Sequence, residues 1–156
     1  MRGKGVRRSG TKAIGSKKQK PHVFAQKGSP PHRRRAVLQH VRWDDVEPEQ
    51  LNPLLQRRFI VGRDIMVARL LLKAGCVVPE HRHVNEQVTY VIDGALKFWI
   101  GGKEIVVRSG EVLTIPPNMP HEVVALEDTV DLDTFTPPRA DWMNKEDDYL
   151  RQAGSR

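Results

Sequence analysis

The sequence predicts an all-β fold, an antiparallel sandwich or barrel. Three observations predict it. Short apolar-rich runs succeed one another at 57–62, 65–73, 87–92, 95–100, 103–108, 111–115, 121–127 and 130–136. Gly, Pro and Asp punctuate them, with Asp93-Gly94 and Gly101-Gly102 reading as two-residue hairpin turns. Helical periodicity is almost absent between them.

Each element has its own signal. "WDDVEPEQLNPLL", from Trp43, carries Pro48 and Pro53 and predicts a lead-in strand and then a short helical turn about Glu49 to Leu55. "RRFIVG" and "IMVARLLLK" are rich in branched apolar residues, which suit a pleated, half-buried surface. "QVTYVI", "ALKFWI" and "KEIVVR" follow, separated by the two glycine turns. "EVLTI", "HEVVALE" and "VDLDTFT" complete the set. The end, "ADWMNKEDDYLRQAGSR", predicts a short helix or irregular cap. No internal repeat is visible.

The chain has 156 residues, enough for one domain with a proper core. No apolar run approaches the roughly 20 residues that span a bilayer. The N-terminus is basic but lacks the apolar stretch of a secretory signal. A single cysteine, Cys76, precludes an intrachain disulfide and fits the cytoplasm. The charge is uneven. Residues 1–35 hold 12 of the 26 Lys and Arg and no acidic residue, so the remaining 14 basic residues face 19 acidic ones, a net of −5. Residues 1–36, rich in Gly, Ser, Pro, Lys and Arg, bury too little to offset ordering and predict a disordered basic tail. A translation start near Val37 is a second reading of that tail. Residues 37–156 then form one domain. A nucleic-acid role is disfavoured, because no aromatic residues interleave the basic ones and no base-reading fold is attached.

The chemistry concentrates in "GCVVPEHRHVNEQVTYVIDG", residues 75–94. His81 and His83 lie two apart, and Glu86 and Gln87 follow. In an extended chain side chains alternate faces, so His81, His83 and Gln87 share one side and Glu86 takes the other. Two histidines on one strand face lie roughly 6–7 Å apart, close enough to converge on one ion. His121, after "GEVLTIPPNMP", is placed to return beside them. His22, His32 and His40 lie in or beside the tail and are set aside.

These stretches resemble the two motifs of the cupin superfamily. The first reads Gly, five residues, His-x-His, three or four residues, Glu, six residues, Gly, and matches Gly75 to Gly94. The second reads Gly, five residues, Pro, any residue, Gly, two residues, His, and matches Gly110 to His121, with Pro116 inside. Three positions depart: Gln87 replaces the usual Glu ligand, Asn118 the second-motif Gly, and Ala125 its Asn. The resemblance implies a double-stranded β-helix (jelly-roll) barrel with short helical turns at the ends. It implies that His81, His83, Gln87 and His121 hold one divalent transition metal: Ni, Zn, Mn or Fe. With a neutral Gln ligand the ion keeps its full +2 charge, which favours Lewis-acid and proton-transfer chemistry over oxygen activation.

"ALEDTVDLDTFTPPRADW" further resembles small single-domain cupins of the pectin-degradation type, which linearise 4,5-unsaturated monouronates. By that resemblance Asp133 is the acid/base, Arg139 clamps the uronate carboxylate and Phe135 shapes the sugar pocket. Arg139 pinning the C-terminus through Asp141 or Asp133, and Phe135 as plain core, are the structural alternatives. The partner implied is a small sugar acid, and a homodimer through residues 38–46. A dioxygenase or lyase on another small acid, and a non-catalytic metal or sugar binder, are the competing functions. The absence of a helix-turn-helix pattern weighs against a DNA-linked sensor.

Overall fold

The computed structural model describes residues 35–152, within a unit spanning Arg33–Arg156. The predicted tail falls almost wholly outside the described residues. Ten strands form two antiparallel sheets. Strands β1 (Glu49–Asn52), β2 (Leu55–Val61), β3 (Met66–Leu72), β5 (Glu86–Asp93), β8 (Val112–Ile115) and β10 (Thr129–Thr136) make a six-stranded sheet in the order β1-β2-β3-β10-β5-β8. Strands β4 (Val77–His81), β6 (Ala95–Ile100), β7 (Lys103–Arg108) and β9 (His121–Ala125) make a four-stranded sheet in the order β4-β9-β6-β7. The two faces meet over an apolar core, giving the predicted jelly-roll sandwich.

Alternation decides which residues enter that core. On β3, Met66, Ala68, Leu70 and Leu72 point inward while their neighbours are half-buried. Strand β10 runs beside β3 with the same period, and its inward residues are Thr129, Asp131, Asp133 and Phe135. On β5 they are Gln87, Thr89 and Val91. Polar residues therefore line one part of an otherwise apolar interior.

Four local expectations are corrected. Glu49 to Asn52 is a strand paired with β2, and the helical turn lies earlier, as one 3-10 turn at Trp43–Asp45. Pairing with β2 satisfies backbone groups that a lone turn would leave open. No lead-in strand forms over residues 35–48. Asp93-Gly94 is not a hairpin. Strand β5 pairs with β8 and β10, and β6 with β7 and β9, so Gly94 carries the chain from one sheet to the other. Its φ is +90°, and a Cβ there would come within 2.5 Å of the Asp128 carbonyl and Thr129 Oγ1. Gly101-Gly102 is the true hairpin, joining Ile100 to Lys103. Finally, residues 81–92 are not one extended run: the chain breaks between β4 and β5, and His81 and Gln87 belong to different sheets.

The C-terminal helices α1 (Ala140–Asn144) and α2 (Asp148–Arg151) form a cap. Arg57 on β2 pins it. Its guanidinium is fully buried, 4.2 Å from the Trp142 ring centroid, and pairs with Asp147 at 2.8 Å and Glu49 at 2.7 Å. Glu49 also holds Arg151 at 2.6 Å, and Asn52 donates to the Leu150 carbonyl at 2.7 Å. This anchoring brings Trp142 and Tyr149 to the polar end of the interior.

Candidate metal centre and reaction pocket

His81 ends β4, His121 begins β9, and the two are register partners. His83 sits in the β4–β5 connection, whose shape is held by Asn118 donating to the His83 carbonyl at 2.7 Å. Asn118 takes φ 61°, the left-handed conformation expected where the motif has Gly. The ligand-capable atoms of His81, His83 and His121 lie within 4.8 Å of one another.

Hydrogen bonds orient all three rings alike. Nδ1 of His81 faces the Pro79 carbonyl at 2.8 Å, that of His121 the Met119 carbonyl at 2.8 Å, and that of His83 the Asn85 carbonyl at 3.0 Å. Each Nδ1–H donates to its carbonyl, which leaves each Nε2 lone pair available. Burial lowers the His81 pKa to about 3, helped by His121, and that of His83 to about 4, helped by Arg139 and His121. Burial also lowers that of His121. All three are neutral at neutral pH, as metal binding requires.

Gln87 and His83 supply the test of fit. His83 Nε2 lies 3.0 Å from Gln87 Oε1. The Gln87 amide is fixed the other way round, its Nε2 donating to Thr89 Oγ1 at 2.9 Å and Asp133 Oδ1 at 3.0 Å. Two lone pairs therefore face each other. The alternative neutral tautomer of His83 would move the conflict to the Asn85 carbonyl, and protonating both nitrogens is opposed by burial. A cation between Nε2 and Oε1 resolves it. Glu86, by contrast, is exposed.

Residues 68–135 match the Cupin domain family. The pectin degradation protein KdgF of Dickeya dadantii (strain 3937) is 32% identical over 104 residues, 64% of this chain and 94% of that protein. The chain belongs to the cupin family. Two solved structures bear on this cupin. KdgF from Halomonas sp. superposes with a TM-score of 0.60 at 27% identity, covering 64% of this chain and 93% of that one. An RmlC-like cupin from Shewanella frigidimarina NCIMB 400 gives 0.64 at 24% identity over 69% and 97%, and supports the fold alone.

Beside the histidines, this cupin has a partly open cavity with about 40 Å³ accessible to water. His81, His121, Gln87, Thr89, Asp131 and Asp133 form its polar wall. Asp133 Oδ1 accepts from Gln87 and, in a short bond, from Thr89, while Oδ2 makes no hydrogen bond among the described residues. Burial raises its pKa to about 6; the bonds from Thr89 and Gln87 and the charge of Arg139 limit the rise.

Arg139 also lines the cavity, but its fork is occupied. Nε and Nη2 bind Asp141 at 2.9 and 2.6 Å, and Nη2 also donates to Tyr149 Oη at 2.9 Å. The pairing with Asp141 is the structural alternative offered by the sequence, and it leaves Nη1 for a substrate carboxylate. Phe135 is buried edge-on to His83 at 5.7 Å and to Trp142 at 5.0 Å, so it is core and pocket wall at once. Tyr149 escaped the sequence reading. Its ring stacks on His81, centroids 4.8 Å apart and planes 28° apart. Only the fold of the cap brings it there. Thr89 shares the parity of Gln87, and the pairing of β5 with β10 sets it opposite Asp133.

Proposed function

We propose that this cupin is a metal-dependent isomerase that opens the ring of 4,5-unsaturated monouronates. The observation that carries the proposal is Asp133. It is a buried carboxyl with one oxygen held by Gln87 and Thr89, the other left for the pocket, and an affinity for protons near neutrality. A base tuned in this way suits proton transfer at neutral pH. The pectin-degradation name of a 32% identical relative supports the substrate class.

In this proposal His81, His83, Gln87 and His121 hold one divalent cation, with Ni, Zn, Mn and Fe as candidates. Bound there, the ion supplies Lewis-acid polarisation of substrate oxygens. Asp133 takes the proton of the anomeric hydroxyl as the bond from C1 to the ring oxygen breaks. The electron pair passes to the ring oxygen, and the resulting enolate takes that proton back from Asp133 at C4 to give an open-chain 2-keto acid. Atoms are conserved, so the reaction is an isomerisation. Phe135 walls the pocket. Arg139 supplies a fixed positive charge and the Nη1 donors to the substrate carboxylate. A sugar acid needs more room than the cavity offers, so binding requires Tyr149 on the cap to move aside.

The test is loss of the conjugated uronate absorbance with metal-loaded protein. Wild type should turn over, and Asp133→Ala should lose roughly 100-fold or more in kcat. Absence of turnover with each of the four metals would replace the isomerase with a binding function. The proposed homodimer is tested separately by light scattering. Leu38 and Val41 are exposed apolar residues in the segment expected to mediate it, and a monomer would remove that part.

A further inference from the structure

Asp131 has no place in the chemistry so far. It lies two residues before Asp133 on the inward face of β10 and is 3% exposed. Its register partners are Leu70 on β3 and Val91 on β5. The adjoining cavity wall is apolar: Leu72, Val78, Phe98 and Val123. No ion pair reaches Asp131, and its Oδ1 is buried without a hydrogen-bond partner among the described residues. Asp131 lines the same cavity as Asp133.

An ionised carboxylate in that setting costs several kcal/mol, and nothing nearby offsets it. Burial holds the Asp131 carboxyl well above the usual range, and the Asp133 charge adds to this; its own backbone N–H offsets only part. The group is therefore a neutral acid with an O–H to donate. Leucine or valine would fill the same space at no such cost, so the carboxyl is not there for packing. The cavity, part apolar and part polar in its lining, has about 40 Å³ accessible to water. That is room for one to about three waters, and its polar groups can satisfy them.

We propose that Asp131 is a positioning residue for Asp133: it stays a protonated carboxylic acid and donates, through water in the shared cavity, to Asp133 Oδ2. Oδ1 is already fixed by Gln87 and Thr89, so this second link sets the plane of the carboxylate that receives the substrate proton. The inference rests on Asp133 acting as the base.

Asp131→Asn and Asp131→Leu, compared with wild type, test it by two readouts. The first is infrared spectroscopy at neutral pH. Wild type should show the carbonyl band of a protonated carboxylic acid, and both variants should lack it. The second is uronate turnover. Asn keeps a donor and should stay within about 3-fold of wild-type kcat, while Leu should lose roughly 10- to 100-fold in kcat with little change in KM. The Leu variant should melt no lower than wild type, which separates lost positioning from lost structure. A missing acid band in wild type, or a Leu variant with wild-type kcat, would overturn the inference. If wild type shows the band but does not turn over, the isomerase proposal fails and with it the role assigned to Asp131.

Discussion

Gln87 donates from its amide nitrogen to Oδ1 of Asp133 across 3.0 Å. That one bond gives a physical reason for Gln where the family motif has Glu. A carboxylate at 87 would face another carboxylate at hydrogen-bond distance, while the amide meets it with a donor and turns its oxygen towards His83.

Gln87→Glu should therefore act on Asp133. Burial already raises that pKa to about 6, and the Gln87 bond restrains it. Replacing the donor by a negative charge pushes it higher, so the acidic limb of the kcat/KM profile moves to higher pH. Activity at pH 7 should fall by about 10-fold or more while the metal is retained. An unmoved limb would separate the two residues.

The three histidines predict how metal and stability depend on pH. With pKa values lowered to about 3 for His81 and about 4 for His83, protons compete weakly with the metal. Metal should stay bound at pH 5.5, as read by equilibrium dialysis. His81→Ala should cut the content well below one ion per chain. The metal-free protein behaves oppositely. The unfolded chain takes up protons below about pH 6.5 that the folded rings refuse, so its stability should fall as pH drops from there towards the folded values.

Arg139→Ala should damage stability as well as activity. The variant leaves Asp141 without its cation and uncovers Phe135 and Trp142, whose rings lie 5.2 and 4.7 Å from the guanidinium carbon. A loss of about 2 kcal/mol is expected in denaturant unfolding, after allowance for the partial exposure of Asp141. Asp133→Ala should cause no comparable loss, because it removes a buried carboxyl. Equal stability losses in the two variants would contradict the pinned arrangement.

Arg57 is the corresponding test of the cap. Arg57→Ala takes one of two cationic partners from the fully buried Asp147 and from Glu49, leaving each with Arg151 alone. The expected cost is about 3–5 kcal/mol, with α1 and α2 becoming sensitive to limited proteolysis. The conservative Arg57→Lys cannot reproduce the two-sided pairing and should recover only part of the loss.

The strands were legible because alternation and turn residues are local properties. The two motifs were legible because their spacing matches a known pattern. Which strands pair was not. Asp93-Gly94 has the composition of a hairpin turn, but Thr129 and Asp128 pack against it and the chain crosses between sheets. Side-chain parity pointed Gln87 inward with the histidines on the assumption of one continuous strand. The inward placement holds, yet it arises from two strands in two sheets.

By itself, then, the sequence determined the all-β class, the inward residues of β5 and β10, and the residue types able to carry metal and proton chemistry. Those follow from side-chain type and a period of two, which act over a few residues. Tertiary structure alone decided that Asp141 occupies the Arg139 fork, that Tyr149 covers His81, and that Asp131 Oδ1 is buried with no hydrogen-bond partner among the described residues. Each depends on groups brought together by packing the cap and the two sheets. A carboxyl's charge state and a guanidinium's availability are set by neighbours in space, which no local pattern specifies.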